Sequence, residues 1–511
     1  MSAFEYVPQW MDEFSWALYL GIVVCFLLAF GMGANDTANS YGTVVGAGVL
    51  RLWQAYILAT IFEILGAGLL GYKVTETIRS GIVDISIYGI QVEKLNSSFD
   101  IVQNCTLQSN CTLPSCCVEY SSADLLFGQI GALTGTAFWL ILASLFQMPV
   151  SATQSVVGGT VGFSLVLKGT KGINWWILGK IGISWLSSPL LAGFFSVAFY
   201  LIIKYTVFKT ANQLAASLRT MPYWFWFTVT VNSFAVFYDG SKYLKFDQLP
   251  WWGCVLLSLV CGFLTAIVMF AIGNKIVERR AKALHNERVH EVSERMGTAD
   301  AHEAAAALIA QTPAEGTRRQ RTRTISLNVD TVYEDDTTVS AFNQLQILSA
   351  CFLAFSHGSN DTANSVGPLV SLYLTWKYGL ATATADYNLT MQLIILYGAV
   401  SSMVGLYVLG HKVIKTIGKD LTDVNAPSGF AMSLGTAFTV LLASKIGIPV
   451  STTHCMVGSV VFVGIARSDM QGVSWKLFRN ILFAWLVTTP VAGLVSALVT
   501  YLLTHFILGT V

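Results

Sequence analysis

Charge is what this chain has least of. Only 12% of its 511 residues are Asp, Glu, Lys or Arg, against 54% hydrophobic. A soluble domain carries about 25% charged residues, so composition alone excludes a soluble all-helical protein. The opening stretch MSAFEYVPQWMDEFSW has no Lys or Arg, and a cleavable signal peptide needs a basic leading segment. The net charge of +1 gives no grounds for nucleic-acid binding. No nucleophile–base pair and no metal-binding His cluster stands out, so the chain is not expected to be an enzyme and no cofactor is expected.

What is present is apolar length. At least eight stretches could span a bilayer, which needs about 20 apolar residues per helix. We read an all-α polytopic membrane protein with about 12 membrane segments. Residues 16–273 form a first transmembrane repeat and residues 344–507 a second. Between them, residues 275–340 hold ten Lys and Arg and eleven Asp and Glu. They read as a hydrophilic loop, helical near Val277–Met296 and largely disordered beyond. Within it RRQRTRTIS, Arg318–Ser326, reads equally as a phosphorylation site or as a solvated charge run.

The repeat is visible residue by residue. GMGANDTANSYG, Gly31–Gly42, recurs as SHGSNDTANSVG, Ser356–Gly367, at an offset of 325. PVSATQSVVGG from Pro149 recurs as PVSTTHCMVGS from Pro449, and SWLSSPLLAG from Ser184 as AWLVTTPVAG from Ala484. Both pairs share an offset of 300. LLGYKVTETI, Leu69–Ile78, resembles VLGHKVIKTI, Val408–Ile417. The Gly-Asn-Asp stretches interrupt long apolar runs, so broken helices are expected there. Gly42-x-x-x-Gly46 and Gly158-x-x-x-Gly162 read as small-residue packing faces.

The nine cysteines divide in two. Cys25, Cys254, Cys261, Cys351 and Cys455 lie in apolar runs and read as packing residues. Cys105, Cys111, Cys116 and Cys117 share a polar loop, residues 84–123, with three glycosylation acceptors, Asn96, Asn104 and Asn110. That combination points to an oxidising, extracellular loop with disulfides rather than a zinc knuckle. Lys275, Arg279, Arg280 and Lys282 follow directly after a span, which puts the central loop in the cytoplasm. Both termini then lie outside a plasma membrane, and the two repeats run in opposite senses. This architecture is common in secondary transporters, with the site at the repeat interface.

An Asp inside a membrane-length apolar run is costly and marks a functional site by default. Asn35, Asp36, Asn360 and Asp361, joined by Glu63, offer hard oxygen ligands suited to small cations such as sodium. Ser151, Thr153 and Gln154 open one apolar helix, and Ser451, Thr452, Thr453 and His454 open its counterpart. Hydroxyls and free N–H groups at a helix N-terminus make an anion site, and Asn39 and Asn364 stand close by in sequence. Ordinary helix capping uses the same residue types. Lys180 and Lys445 read as interfacial.

GANDTAN and its second copy GSNDTAN, PVS-x-T-[QH] twice and a hydrophilic loop between the halves resemble the inorganic phosphate transporter (PiT) family of sodium–phosphate symporters. The resemblance covers nearly the whole chain outside residues 1–15, the Cys-rich loop and the central loop. It implies phosphate held with sodium ions between pseudo-symmetric halves. The ligands it implies are Asn35, Asp36, Asn39, Ser151, Thr153, Asn360, Asp361, Asn364, Ser451, Thr452 and Thr453. Gln154 departs from the family's usual His, which His454 keeps. The expected partners are phosphate, sodium as co-substrate and the lipid bilayer; a homodimer is compatible with the pattern. A sulfate or proton-coupled symporter, a channel and a phosphate-sensing receptor are the competing readings.

Overall fold

Apolar runs of this length leave the helix as the way for a backbone to satisfy its hydrogen bonds in lipid. The computed structural model describes residues 7–88, 122–238, 240, 244–296, 333–378, 389–468 and 472–508. Asn96, Asn104, Asn110, the four clustered cysteines and Arg318–Ser326 lie outside these residues. The first half holds α1 (Val7–Met32), α2 (Ala38–Gly46), α3 (Leu52–Leu70), α4 (Tyr72–Ser80), α5 (Ser122–Leu145), α6 (Ala152–Lys168) and α7 (Trp175–Ile203). A peripheral pair follows, α8 (Gln213–Phe237) and α9 (Trp251–Val268), and then α10 (Asn274–Met296) and the short α11 (Asp336–Ala341). The second half holds α12 (Asn343–Tyr378), α13 (Leu389–Lys415), α14 (Ala426–Ile446), α15 (Thr452–Ser468) and α16 (Trp475–Leu503). The described residues form no β-strand, only two isolated bridges, Val83–Ile173 and Thr422–Val473, at equivalent places in the two halves.

Among the described residues, nine helices are long and apolar enough to cross a membrane, which leaves the expected count of about 12 unconfirmed. Helices α6 and α15 are 17 residues each, about 26 Å at 1.5 Å per residue, short of a hydrocarbon core of about 30 Å. They serve instead as the second arms of two hairpins, α5–α6 and α14–α15, whose turns carry the PVS motifs.

The helix breaks expected at the Asn-Asp motifs take another form. In the first half Gly33–Thr37 winds as a π turn between α1 and α2. In the second, α12 runs uninterrupted for 36 residues through Asn360 and Asp361. Unwinding would strip carbonyls of their donors inside lipid, whereas the Asn and Asp side chains reach their partners from intact helix. Single π turns of this kind recur at functional sites.

Glycine decides how the halves interlock. Gly66 on α3 lets the Phe355 carbonyl of α12 approach within 2.0 Å of where a Cβ would stand. Gly405 on α13 does the same for the Phe30 carbonyl of α1, at 1.8 Å. One turn on, Gly358 meets the Glu63 carbonyl and Gly33 meets the Ser402 carbonyl. The four contacts form two equivalent pairs, so each motif helix is embraced by the second helix of the other half. The hairpins cross over too: α6 packs on α16, and α15 on α7. Both small-residue faces are used, Gly46 against the Gly418 carbonyl and Gly162 against the Gly493 carbonyl.

The hairpin turns are pinned in the same swapped way. Gln147 (φ 60°) and Gly447 (φ 75°) are both left-handed. Thr416 Oγ1 donates to the Gln147 carbonyl at 3.2 Å, and Thr77 Oγ1 to the Gly447 carbonyl at 2.9 Å. The five cysteines in apolar runs are free, and all but Cys261 are buried.

Candidate functional site

The two Asn-Asp motifs and the two hairpin tips meet in the interior. Asn35, Asp36, Asn39, Ser151, Thr153, Asn360, Asp361, Asn364, Ser451, Thr452 and Thr453 are all buried. Each Asn of the Asn-Asp pair grips the tip of its own half. Asn35 Nδ2 donates to the Met148 carbonyl at 2.9 Å, and its Oδ1 accepts from Val150 N at 2.9 Å. Asn360 Nδ2 donates to the Val450 carbonyl at 2.8 Å.

Each Asp joins the tips of both halves. Asp36 Oδ2 accepts from Ala152 N, the first N–H of α6, at 2.9 Å. Its Oδ1 accepts from Thr453 Oγ1 of the other hairpin, also at 2.9 Å. Asp361 Oδ2 accepts from Thr452 Oγ1 at 2.5 Å, and Oδ1 meets Thr153 Oγ1 of the other hairpin at 3.4 Å. The third Asn completes each cluster. Asn39 Nδ2 donates to Thr453 Oγ1 at 2.9 Å, and Asn364 Nδ2 to Thr153 Oγ1 at 3.0 Å. The result is two equivalent Asp–Thr–Asn clusters, each with its Thr lent by the opposite half. Asn39 Oδ1 and Asn364 Oδ1 are both buried and, among the described residues, have no hydrogen-bond partner.

The serines do what N-caps do. Ser151 Oγ accepts from Gln154 N at 3.1 Å, and Ser451 Oγ from His454 N at 3.2 Å. The side chains of Gln154 and His454 stand apart. Among the described residues no hydrogen bond joins either to Asp36, Asp361 or the Thr hydroxyls. The His454 ring packs 3.8 Å from the Trp485 ring, and the Trp485 indole N–H reaches the Pro149 carbonyl.

Glu63 is drawn into the same interior by the contact at Gly358. Its Oε1 accepts from Thr37 Oγ1 at 3.2 Å and lies 2.6 Å from His357 Nδ1. His357 Nε2 stands 3.2 Å from Asp361 Oδ2. This bridging imidazole is the site residue that sequence reasoning passed over. A signal existed: His357 and Asp361 are four apart on an apolar helix and share a face, while Met32 holds the equivalent place in the first half. The site therefore contains three buried carboxylates and one imidazole, and no Lys or Arg among the groups that meet there.

This arrangement has relatives. A family model described as the phosphate transporter family matches residues 32–496. Sodium-dependent phosphate transporter 1-A of Danio rerio is 31% identical, over 98% of this chain and 96% of its own length. Sodium-dependent phosphate transporter 2 of Homo sapiens is also 31% identical, over 98% and 99%. A solved structure of a sodium-dependent phosphate transporter matches with a TM-score of 0.71 at 30% identity, covering 96% of this chain and all of that one. With the model spanning both motif pairs and the relatives matched over nearly their whole length, the chain belongs to the phosphate transporter family.

Proposed function

We propose that this chain is a symporter that carries inorganic phosphate into the cell together with sodium ions. The observation that carries the reading is the pair of Asp–Thr–Asn clusters completed across the two halves. Asp36 and Asp361, with Asn35, Asn360 and Glu63, serve as the cation ligands. Thr153, Thr452 and Thr453, with Ser151, Ser451, Asn39 and Asn364, face the anion at the starts of α6 and α15, where helix dipoles favour negative charge. Gln154 and His454 belong to the same tips and act from behind them.

Electrostatics supplies the reason for coupling. An unpaired buried charge costs several kcal/mol. Three carboxylates and one imidazole already leave excess negative charge, and phosphate adds one or two more. Cations must arrive with it. The family and the names of the relatives support both substrates. We further propose that the halves are inverted repeats rocking around this site in alternating access. The protein sits in the plasma membrane, with both termini and loop 84–123 outside and the central loop inside.

The position of His357 between Glu63 and Asp361 favours one alternative, a proton as a coupling ion. A single experiment separates the two. Uptake of labelled phosphate into vesicles holding purified protein is measured under sodium, potassium and proton gradients in turn. Sodium-driven uptake is expected. Uptake driven by protons alone would replace the sodium reading, and sulfate uptake at equal rate would replace phosphate.

A further inference from the structure

Each hairpin that carries half of the site is closed at its open end by a part-buried ion pair, and the two closures differ. In the first half, Lys168 at the end of α6 meets Asp124 at the start of α5 at 3.3 Å. Both partners belong to the hairpin. In the second half the cation is Arg467, at the end of α15, but Asp124's counterpart at the offset of 300 is Val424. Asp423, next to Val424, takes Arg467 Nη1 on its backbone carbonyl at 3.0 Å, and the carboxylate that grips the guanidinium side-on comes from elsewhere. Glu334, which precedes α11 and lies outside both repeats, takes Arg467 Nη2 at 2.9 Å and Nε at 3.3 Å. It also accepts from Asn425 Nδ2, the N-cap of α14, at 2.5 Å and from Tyr200 of α7 at 3.3 Å. The Arg467 and Glu334 side chains are only 18% and 11% exposed.

We propose that Glu334 is a positioning residue for the site. It fixes the base of α14–α15 and thereby the tip that presents Thr452 to Asp361 and Thr453 to Asp36. Because it arrives on the central segment rather than within the repeat, that segment holds the second hairpin's clamp and can release it. The clamp is anchored in turn: Gln213 Nε2 donates to the Tyr333 carbonyl at 2.8 Å, Gln213 Oε1 accepts from Asp335 N at 3.0 Å, and Asp336 pairs with Arg288. A bidentate, nearly buried Arg–carboxylate pair is geometrically strict, so loss of the carboxylate leaves Arg467 to pull the helix end toward water. The inference rests on the proposed symport only for its transport readout.

The test compares wild type, Glu334→Gln, and Glu334→Gln with Val424→Asp, which moves the carboxylate into the hairpin as in the first half. Phosphate uptake is measured against phosphate and sodium at matched surface levels. Amide hydrogen exchange over residues 447–455 is followed in the purified full-length proteins. In Glu334→Gln the half-saturating concentrations should rise about tenfold, the lower end of what supporting partners of ligands contribute, with the maximal rate within about twofold. Exchange at the tip should quicken. The added Asp should reverse both. Should Glu334→Gln fail to reach the membrane, delivery and uptake by the double variant still support the clamp. Unchanged half-saturation and exchange in Glu334→Gln, or a double variant as impaired as the single, would overturn it. If wild type itself moves no phosphate, the symport reading falls and the exchange data alone decide the clamp.

Discussion

Replacing Asp36 and Asp361 by Asn separates a cation site from mere helix capping. Each exchange nearly preserves size and removes one negative charge. A charge-assisted contact contributes roughly 1.5–3 kcal/mol, and about 1.4 kcal/mol is tenfold. Half-saturating sodium should therefore rise about ten- to a hundredfold. The surroundings make the two positions unequal. Asp36 accepts from Ala152 N and Thr453 Oγ1. An Asn there can keep its oxygen on Ala152 N and turn its amide toward a hydroxyl, which accepts as readily as it donates. Asp361 faces Thr452, Thr153, and the amides of Asn360 and Asn364 at 3.3 and 2.7 Å, with His357 Nε2 beside it. An Asn there keeps its oxygen on the Asn360 and Asn364 amides only in one orientation, which turns its N–H groups toward Thr452 and takes away the carboxylate oxygen that His357 faces, so Asp361→Asn should show the larger shift. Phosphate affinity at fixed sodium should fall in step, and raising sodium should partly restore it, because linkage is reciprocal. The assay is phosphate uptake against sodium concentration at matched surface levels. Asn caps a helix about as well as Asp, so a capping role alone leaves both curves in place. Unshifted sodium curves in both variants would refute the ligand assignment, and a larger shift at Asp36 would refute the argument from surroundings.

An epitope near Ser98 should stain on intact cells and one near Gly316 only after permeabilisation; the reverse pattern would reject the proposed orientation. Deleting residues 297–330 should leave uptake measurable at normal surface level, whereas extending the deletion to Asp335 removes Glu334 and should raise half-saturating phosphate as Glu334→Gln does. Gly46→Val pushes a side chain into the Gly418 carbonyl, 2.0 Å from the new Cβ, and should cost at least about 1–3 kcal/mol, read as a lower midpoint for loss of monodisperse protein in a detergent heat ramp. Gln147→Gly relieves a left-handed residue (φ 60°) where the second half already has Gly447, and should raise that midpoint, the conformation costing roughly 1–2 kcal/mol for a residue with a Cβ.

Much of this was legible because the chain states its site twice. The offsets of 325 and 300 matched Asn35, Asp36 and Asn39 with Asn360, Asp361 and Asn364, and the first tip with the second. The structure gathers these groups into two equivalent clusters. The swap was not legible: nothing along the chain says that Thr453 reaches Asp36 rather than Asp361, because both tips carry the same residue types. Helix continuity was misjudged for a physical reason. Gly, Asn and Asp weaken an isolated helix in water, but lipid removes the water that would solvate an unwound backbone, and α12 stays intact. His357 carries no signal in the repeat, because it belongs to only one half and Met32 holds its place in the other. The polarity of residues 333–336 concealed Glu334, whose partners Tyr200, Asn425 and Arg467 come from three distant segments.

The swapped threonines give coupling a geometric basis. A hydroxyl has one proton to donate. Thr453 spends its proton on Asp36 while accepting from Asn39. Thr153, accepting from Asn364, has Asp361 at 3.4 Å and the Val450 carbonyl at 3.1 Å. For either hydroxyl to donate to a bound phosphate it must turn away from an acceptor inside the protein. At Thr453 that acceptor is a carboxylate, and an anion arriving alone would strip it of a donor while adding charge beside it. In the proposed symport a sodium ion at Asp36 would replace the lost donor and offset the charge together, so that each ligand would lower the cost of the other. Because Thr453 comes from one half and Asp36 from the other, the same exchange acts across the interface between halves that transport has to rearrange. On the proposed mechanism, occupancy and conformation would then be coupled through one proton on one side chain, with no need for a pathway to carry the signal elsewhere.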